Sequence, residues 1–174
     1  QEGGHIFTRS KVNEVEKVKS GWSVKTDKGS VLADKVIMCT GAYTDGGWKG
    51  LDKTFSIQKV FVAATNPMPK EVCKKVLPFN GTMHDGRSDI FVYKYDGNGR
   101  LVVSMFPIGK RGKDQIYTKK ILLDRLRWLH PSIPKDTIWE YYWFGELDMQ
   151  HQTIPRLYKL APGVIACTGL SGRG

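Results

Sequence analysis

Short stretches of alternating apolar and polar residues open the chain. His5-Ile6-Phe7-Thr8, the spaced Val12, Val15 and Val18, Gly21-Trp22-Ser23-Val24-Lys25-Thr26 and Ser30-Val31-Leu32-Ala33 read as strands, with Lys28-Gly29 as a turn. Period-two alternation at hairpin spacing predicts an antiparallel meander. Lys35-Val36-Ile37-Met38-Cys39-Thr40 then breaks the pattern with a nearly continuous apolar run that stops at Gly41. Such a run predicts a strand covered on both faces, as in a parallel sheet.

The middle of the chain has a different rhythm. Residues 55–65 predict a long strand, and Pro69 opens a short helix reaching Val76. Residues 90–95 and 101–106 flank Asp96-Gly97-Asn98-Gly99, a hairpin turn signal. Over 113–130, Ile116, Leu122, Leu123, Leu126 and Leu129 recur at helical spacing until Pro131 and Pro134 end the element. Residues 137–147 are aromatic-rich and strand-like, and Gly163-Val164-Ile165-Ala166-Cys167-Thr168 is a last apolar run feeding Gly169-Leu170-Ser171-Gly172-Arg173-Gly174.

This order predicts an α+β (α/β) chain. Residues 1–50 and 148–174 form a partial sheet with a β-meander, and 51–147 form an antiparallel-sheet lobe with one long helix. The five tryptophans, Trp22, Trp48, Trp128, Trp139 and Trp143, are expected to fill core. Cys39, Cys73 and Cys167 are odd in number and widely spaced, which predicts buried free thiols in a reducing, cytoplasmic setting. No apolar stretch approaches the roughly 20 residues needed to span a bilayer.

The net charge of +10 raises the possibility of a nucleic-acid partner. Its distribution argues against one. The basic residues are scattered, and the densest cluster, Lys110-Arg111-Gly112-Lys113, has no interleaved aromatics. A solvated loop that can attract an anion is the expectation. No His, Cys and carboxylate grouping has metal-ligand spacing. Ser171 lacks the Gly-x-Ser-x-Gly setting of a nucleophile.

The two end blocks resemble a known family. Gly21-Trp22-Ser23-Val24-Lys25-Thr26, Gly29 and Ala33-Asp34-Lys35-Val36-Ile37-Met38-Cys39-Thr40-Gly41-Ala42-Tyr43-Thr44 resemble a segment of FAD-dependent oxidoreductases of the D-amino-acid oxidase type, which include glycine oxidase, sarcosine oxidase and gamma-glutamylputrescine oxidase. Trp143-Phe144-Gly145, Ile154-Pro155-Arg156, Pro162-Gly163-Val164 and the closing 169–174 stretch resemble that family's final pattern. The resemblance implies FAD as cofactor, an amine or amino acid as substrate, and oxygen or another electron acceptor. It implies an FAD-binding lobe at 1–50 and 148–174 and a substrate-binding lobe at 51–147. Cofactor contacts would fall to Val12, Thr40, Gly41, Ala42, Gly169, Ser171, Gly172, Arg173 and Gly174. Tyr93 and Tyr142 would meet substrate. The closing glycine turn would aim backbone N–H groups at the flavin's pyrimidine end, where negative charge builds up on reduction. Hydride removal next to nitrogen needs little acid or base help, so no residue is assigned to catalysis.

Departures from the family pattern carry information too. The Gly-x-Gly-x-x-Gly pyrophosphate turn does not occur, so this chain is expected to be a piece of a larger protein, to bind FAD weakly or not at all by itself, and to be inactive alone. Exposed sheet edges would then favour self-association. Where amino-acid oxidases often place a carboxylate-gripping arginine, this chain has Glu146, Leu147 and Asp148. His151-Gln152-Thr153 replaces the acidic residue before the Ile-Pro. A basic binding module and a relative that has lost FAD are the alternatives.

Overall fold

The computed structural model describes residues 3–45, 47–107 and 114–172. Two compact units emerge, Gln1–Ile57 with Leu147–Gly174 and Gln58–Glu146. The predicted Lys110–Lys113 loop lies outside the described residues, as do Arg173 and Gly174.

In the first unit, β1 (Val12–Val18), β2 (Gly21–Thr26) and β3 (Gly29–Ala33) form an antiparallel meander in the order β1-β2-β3. Register pairs Val15 with Val24 and Trp22 with Ala33. β4 (Val36–Met38) belongs to a second three-stranded sheet with β10 (Arg156–Ala161) and β11 (Val164–Thr168), ordered β10-β11-β4. β4 and β11 run parallel, with Val36 opposite Val164 and Met38 opposite Ala166. Trp22, Met38, Leu51, Val164 and Ala166 bury one face of this sheet.

The other face is not covered by the described residues, and here the structure corrects the expectation for residues 35–40. Ile37 is 65% exposed. Successive side chains point to opposite sheet faces, so Val36 and Met38 take the packed side and leave Ile37 outside. Cys39 is exposed as well, while Cys73 and Cys167 are half-buried; all three are free. Residues 5–8 form no strand, and Ile6 and Phe7 are exposed.

The second unit is built on β5 (Ser56–Thr65), β6 (Thr82–His84), β7 (Phe91–Tyr95), β8 (Leu101–Met105) and β9 (Trp139–Met149), ordered β6-β7-β8-β5-β9. The hairpin turn forms because Asp96 Oδ1 accepts the N–H groups of Asn98 and Arg100, both at 2.8 Å. The helix α1 (Lys70–Val76) and the long helix α2 (Gln115–Leu129) complete it, α2 being capped by Asp114, which accepts from the Tyr117 N–H at 3.0 Å. Phe91, Tyr93, Leu101, Val103, Met105, Leu122 and Leu126 make a fully enclosed core.

Two expectations for α2 change. Its buried stripe is Thr118, Leu122 and Leu126, the i,i+4 row, so Ile116 falls off that face and is exposed. Trp128 is 75% exposed, and Trp143 on β9 is exposed too, so neither fills core. The architecture is α+β: mixed sheets with two α-helices among the described residues.

Candidate functional site

Because β4 and β11 are parallel neighbours, their C-terminal ends lie at the same edge of the sheet. Open sheets with parallel strands receive ligands at that edge. Both strands stop there in glycine turns, at Thr40-Gly41 and Thr168-Gly169.

After β4, Gly41 adopts φ +53° and starts a 3-10 turn over Gly41–Tyr43 that buries Ala42. The Thr44 hydroxyl donates to the Gly41 carbonyl at 2.8 Å, and the Thr40 and Thr44 hydroxyls meet at 2.6 Å. After β11, the positive φ values of Gly169 (+75°), Ser171 (+53°) and Gly172 (+72°) coil the chain tightly. Ser171 pays a strain that glycine avoids, and its hydroxyl, which donates to the Gly169 carbonyl at 3.0 Å, helps offset it.

Two buried residues at and just after the end of β9, Asp148 and Gln150, hold the turn that follows β11. Asp148 Oδ2 accepts the Gly169 N–H at 2.6 Å, and the Asp148 carbonyl accepts the Ser171 N–H at 3.1 Å. The same carboxylate stands beside Gly41, where an added Cβ would lie 3.7 Å from Oδ2 and 3.8 Å from Oδ1. Gln150 donates its backbone N–H to Ser171 Oγ at 3.2 Å and its side-chain amide to the Thr54 carbonyl at 2.6 Å. A Cβ on Gly169 would sit 2.0 Å from Gln150 Cγ, so only glycine fits there.

The structure thus brings Thr40, Gly41, Ala42, Gly169, Ser171 and Gly172 to the same end of the β10-β11-β4 sheet. Val12, the expected adenine contact, is on exposed β1. Its neighbours Asn13, Glu14 and Val15 line a cavity of about 620 Å³ with Gly47, Trp48 and Lys49. Asp148, Gln150 and Thr54 are the residues that sequence reasoning missed. Asp148 drew notice only as one of the residues standing in place of an arginine.

The two tyrosines are placed apart from each other. Tyr93 lines a cavity of about 290 Å³ with Met83, Asp85, Arg87, Phe91, Trp128 and Leu129. It is 2% exposed in the α2-side core and bonds His130 Nε2 at 2.6 Å. Strand alternation is the cause, since Phe91, Tyr93 and Tyr95 share the inward face. Burial raises the Tyr93 hydroxyl's pKa, with Asp85 adding to it, and burial lowers that of His130. Tyr142 stacks on Phe61 at 5.8 Å and lines a cavity of about 570 Å³ with Lys59, Phe61, Gln115, Trp143 and Phe144. Burial raises its pKa too.

For the FAD that the resemblance implies, the closing turn has a suitable donor set. Gly169 and Ser171 spend their N–H groups on Asp148, whereas the amides of Leu170 and Gly172 have no protein partner among the described residues. Adjacent unspent amides in a tight positive-φ turn suit a carbonyl oxygen or an anion. No grouping of three His, Cys, Asp or Glu capable of holding a metal occurs among the described residues. Nor is any described helix long and apolar enough to cross a membrane.

Comparison with known proteins agrees with this geometry. The model of the FAD dependent oxidoreductase (DAO) family matches residues 1–174. Probable oxidoreductase OrdL of Haemophilus influenzae is 25% identical over 176 residues, covering 99% of this chain and 39% of that protein. Glycine oxidase from Bacillus cereus superposes with a TM-score of 0.65 at 18% identity, over 92% of this chain and 44% of that one. L-proline dehydrogenase from P. horikoshii gives 0.67 at 14% identity, over 95% and 45%. Amadoriase I from Aspergillus fumigatus, a fructosyl amine:oxygen oxidoreductase, gives 0.68 at 12% identity, over 94% and 41%. The chain therefore spans about two-fifths of the length of these relatives. With the family model matched from end to end, the chain belongs to the FAD-dependent oxidoreductases of the DAO family.

Proposed function

We propose that the complete protein oxidises a C–N bond of an amine or amino acid, and that this chain supplies the flavin-ring end of the cofactor site together with the substrate lobe. The observation that carries this reading is the pair of glycine turns at the β4 and β11 ends, with Asp148 bonded to the second and lying beside the first. Bound FAD would supply the two-electron acceptor. A hydride would leave the carbon beside nitrogen, the imine would take up water, and the electrons would pass on to oxygen or another acceptor.

The chain's own groups position rather than react. The unspent Leu170 and Gly172 amides would grip the flavin's polar end, and Arg173 and Gly174 are assigned to the same cofactor contact. Thr40, Gly41 and Ala42 would let the cofactor approach the backbone closely, and Val12 would lie toward the adenine. We assign the cofactor to the lobe of 1–50 and 148–174 and substrate to 51–147, with Tyr93 and Tyr142, each beside a cavity, as the substrate contacts to test. Glu146, Leu147 and Asp148 offer no guanidinium for a substrate carboxylate. Amines whose recognition does not depend on such a grip are therefore the first substrates to try.

The test is reconstitution of the protein, expressed from its full reading frame, with FAD. The expected result is a yellow protein whose flavin absorbance bleaches anaerobically with a subset of an amine panel. A colourless protein that cannot be reconstituted overturns the proposal.

A further inference from the structure

We infer that Asp148 is a positioning residue for the cofactor end of the site, acting through the Gly169 turn and through its own charge. The inference rests on the FAD reading above, except for the tie of Asp148 to the Gly169 turn, which stands on the hydrogen bond itself.

The geometry is specific. Asp148 is 5% exposed, yet only one of its carboxylate oxygens has a hydrogen-bond partner among the described residues, Oδ2 with the Gly169 N–H at 2.6 Å. Its backbone carbonyl takes the Ser171 N–H. One residue therefore consumes the first and third amides of the closing turn, and the second and fourth, on Leu170 and Gly172, are left for a ligand. Without this tie, four neighbouring donors would compete for the same acceptor, and the turn would lose its fixed geometry.

Charge is the second consequence. Among the described residues no cation is paired with Asp148, since none of their ion pairs includes it. A carboxylate at a buried site acts at low effective dielectric, so its field is weakly screened. Standing beside Gly41 and Gly169, it opposes electron uptake by a ring held at those turns. The turn amides favour electron uptake, and Asp148 moderates them. The residue thus selects which amides face the cofactor and holds the cofactor's potential down.

Two variants separate these roles. In D148N an amide oxygen can still accept from Gly169 while the charge is gone; D148A loses both. In the protein expressed from its full reading frame and loaded with FAD, D148A is expected to weaken FAD binding roughly tenfold to a hundredfold, the size of a lost charge-assisted hydrogen bond. D148N is expected to bind within a few-fold of the parent but to shift the flavin midpoint potential to a more positive value. Equal potentials for D148N and the parent overturn the electrostatic role. Unchanged FAD affinity in D148A overturns the positioning role.

Amide hydrogen exchange of the Gly169 N–H, measured without FAD, is an independent readout. Protection is expected in the parent and D148N and to be lost in D148A; equal protection in all three overturns the positioning role. A parent protein that takes up no FAD overturns the proposed function and with it the electrostatic half, while the exchange measurement still decides the positioning half.

Discussion

The two units are held together by different forces. In the 58–146 unit, α2 closes one face of the sheet, and Phe91, Leu101, Val103, Leu122 and Leu126 are each 0% exposed. The unit of 1–57 and 147–174 has a smaller buried cluster around Trp22 and Val164, while Ile37, Leu157 and Ile165 stand exposed on its sheet. Where apolar burial is thin, polar ties at the turns take over, through Asp148, Gln150 and Thr54. The lesson concerns precision. Apolar packing is non-directional and tolerates repacking, whereas a charged hydrogen bond to a single amide fixes a turn to a fraction of an ångström.

Substitutions can break this contrast from either side. Phe91→Ala removes the most enclosed ring of the apolar unit and is expected to cost about 3–5 kcal/mol, seen as an earlier urea transition. The glycine turns of the first unit should be untouched, which amide exchange at Gly169 would report. Loss of protection there would mean that the units do not unfold independently and that the contrast drawn above is false.

Gly169→Ala attacks the polar unit. The φ of +75° and the 2.0 Å approach to Gln150 Cγ predict a cost of roughly 2–4 kcal/mol, from left-handed strain plus overpacking. Gln150→Ala in the same background should return the overpacking part, at the loss of the bond to the Thr54 carbonyl. A double-mutant cycle measures that coupling, and strictly additive effects would count against the clash.

The smallest effect is on pH dependence, and it sharpens the description of the apolar core. Burial holds the His130 pKa below the ordinary value of an imidazole, so the unfolded chain binds the proton more readily than the folded one. Stability from this site is fully present above the unfolded value and declines as pH falls from there through the folded value. His130→Gln should flatten that acid limb in urea melts recorded across the pH range; an unchanged limb would assign it to other groups.

Legibility in the sequence followed the range of the interaction. The Asp96-Gly97-Asn98-Gly99 hairpin was readable because one carboxylate reaches amides only a few residues away. β2, β5, α1 and β9 likewise follow from local periodicity and turn residues. β10 was not anticipated, because its pairing with β11 decides it more than its own mixed pattern. Trp128 and Ile116 were expected inside because periodicity identifies an apolar residue without saying which helix face the sheet meets. The glycine turns were legible as turns, whereas Asp148 beside them was not, since nothing local distinguishes it from a surface aspartate.

The sequence by itself determined that Thr40-Gly41 and Gly169–Gly172 end strands in turns, because glycine's freedom at positive φ and the preceding apolar runs are local properties. Only the tertiary structure decided that the two turns lie at one sheet edge and share one buried carboxylate. The parallel pairing of β4 with β11, and the arrival of Asp148 beside the Gly41 and Gly169 turns, are contacts between distant segments that local residue preferences do not encode.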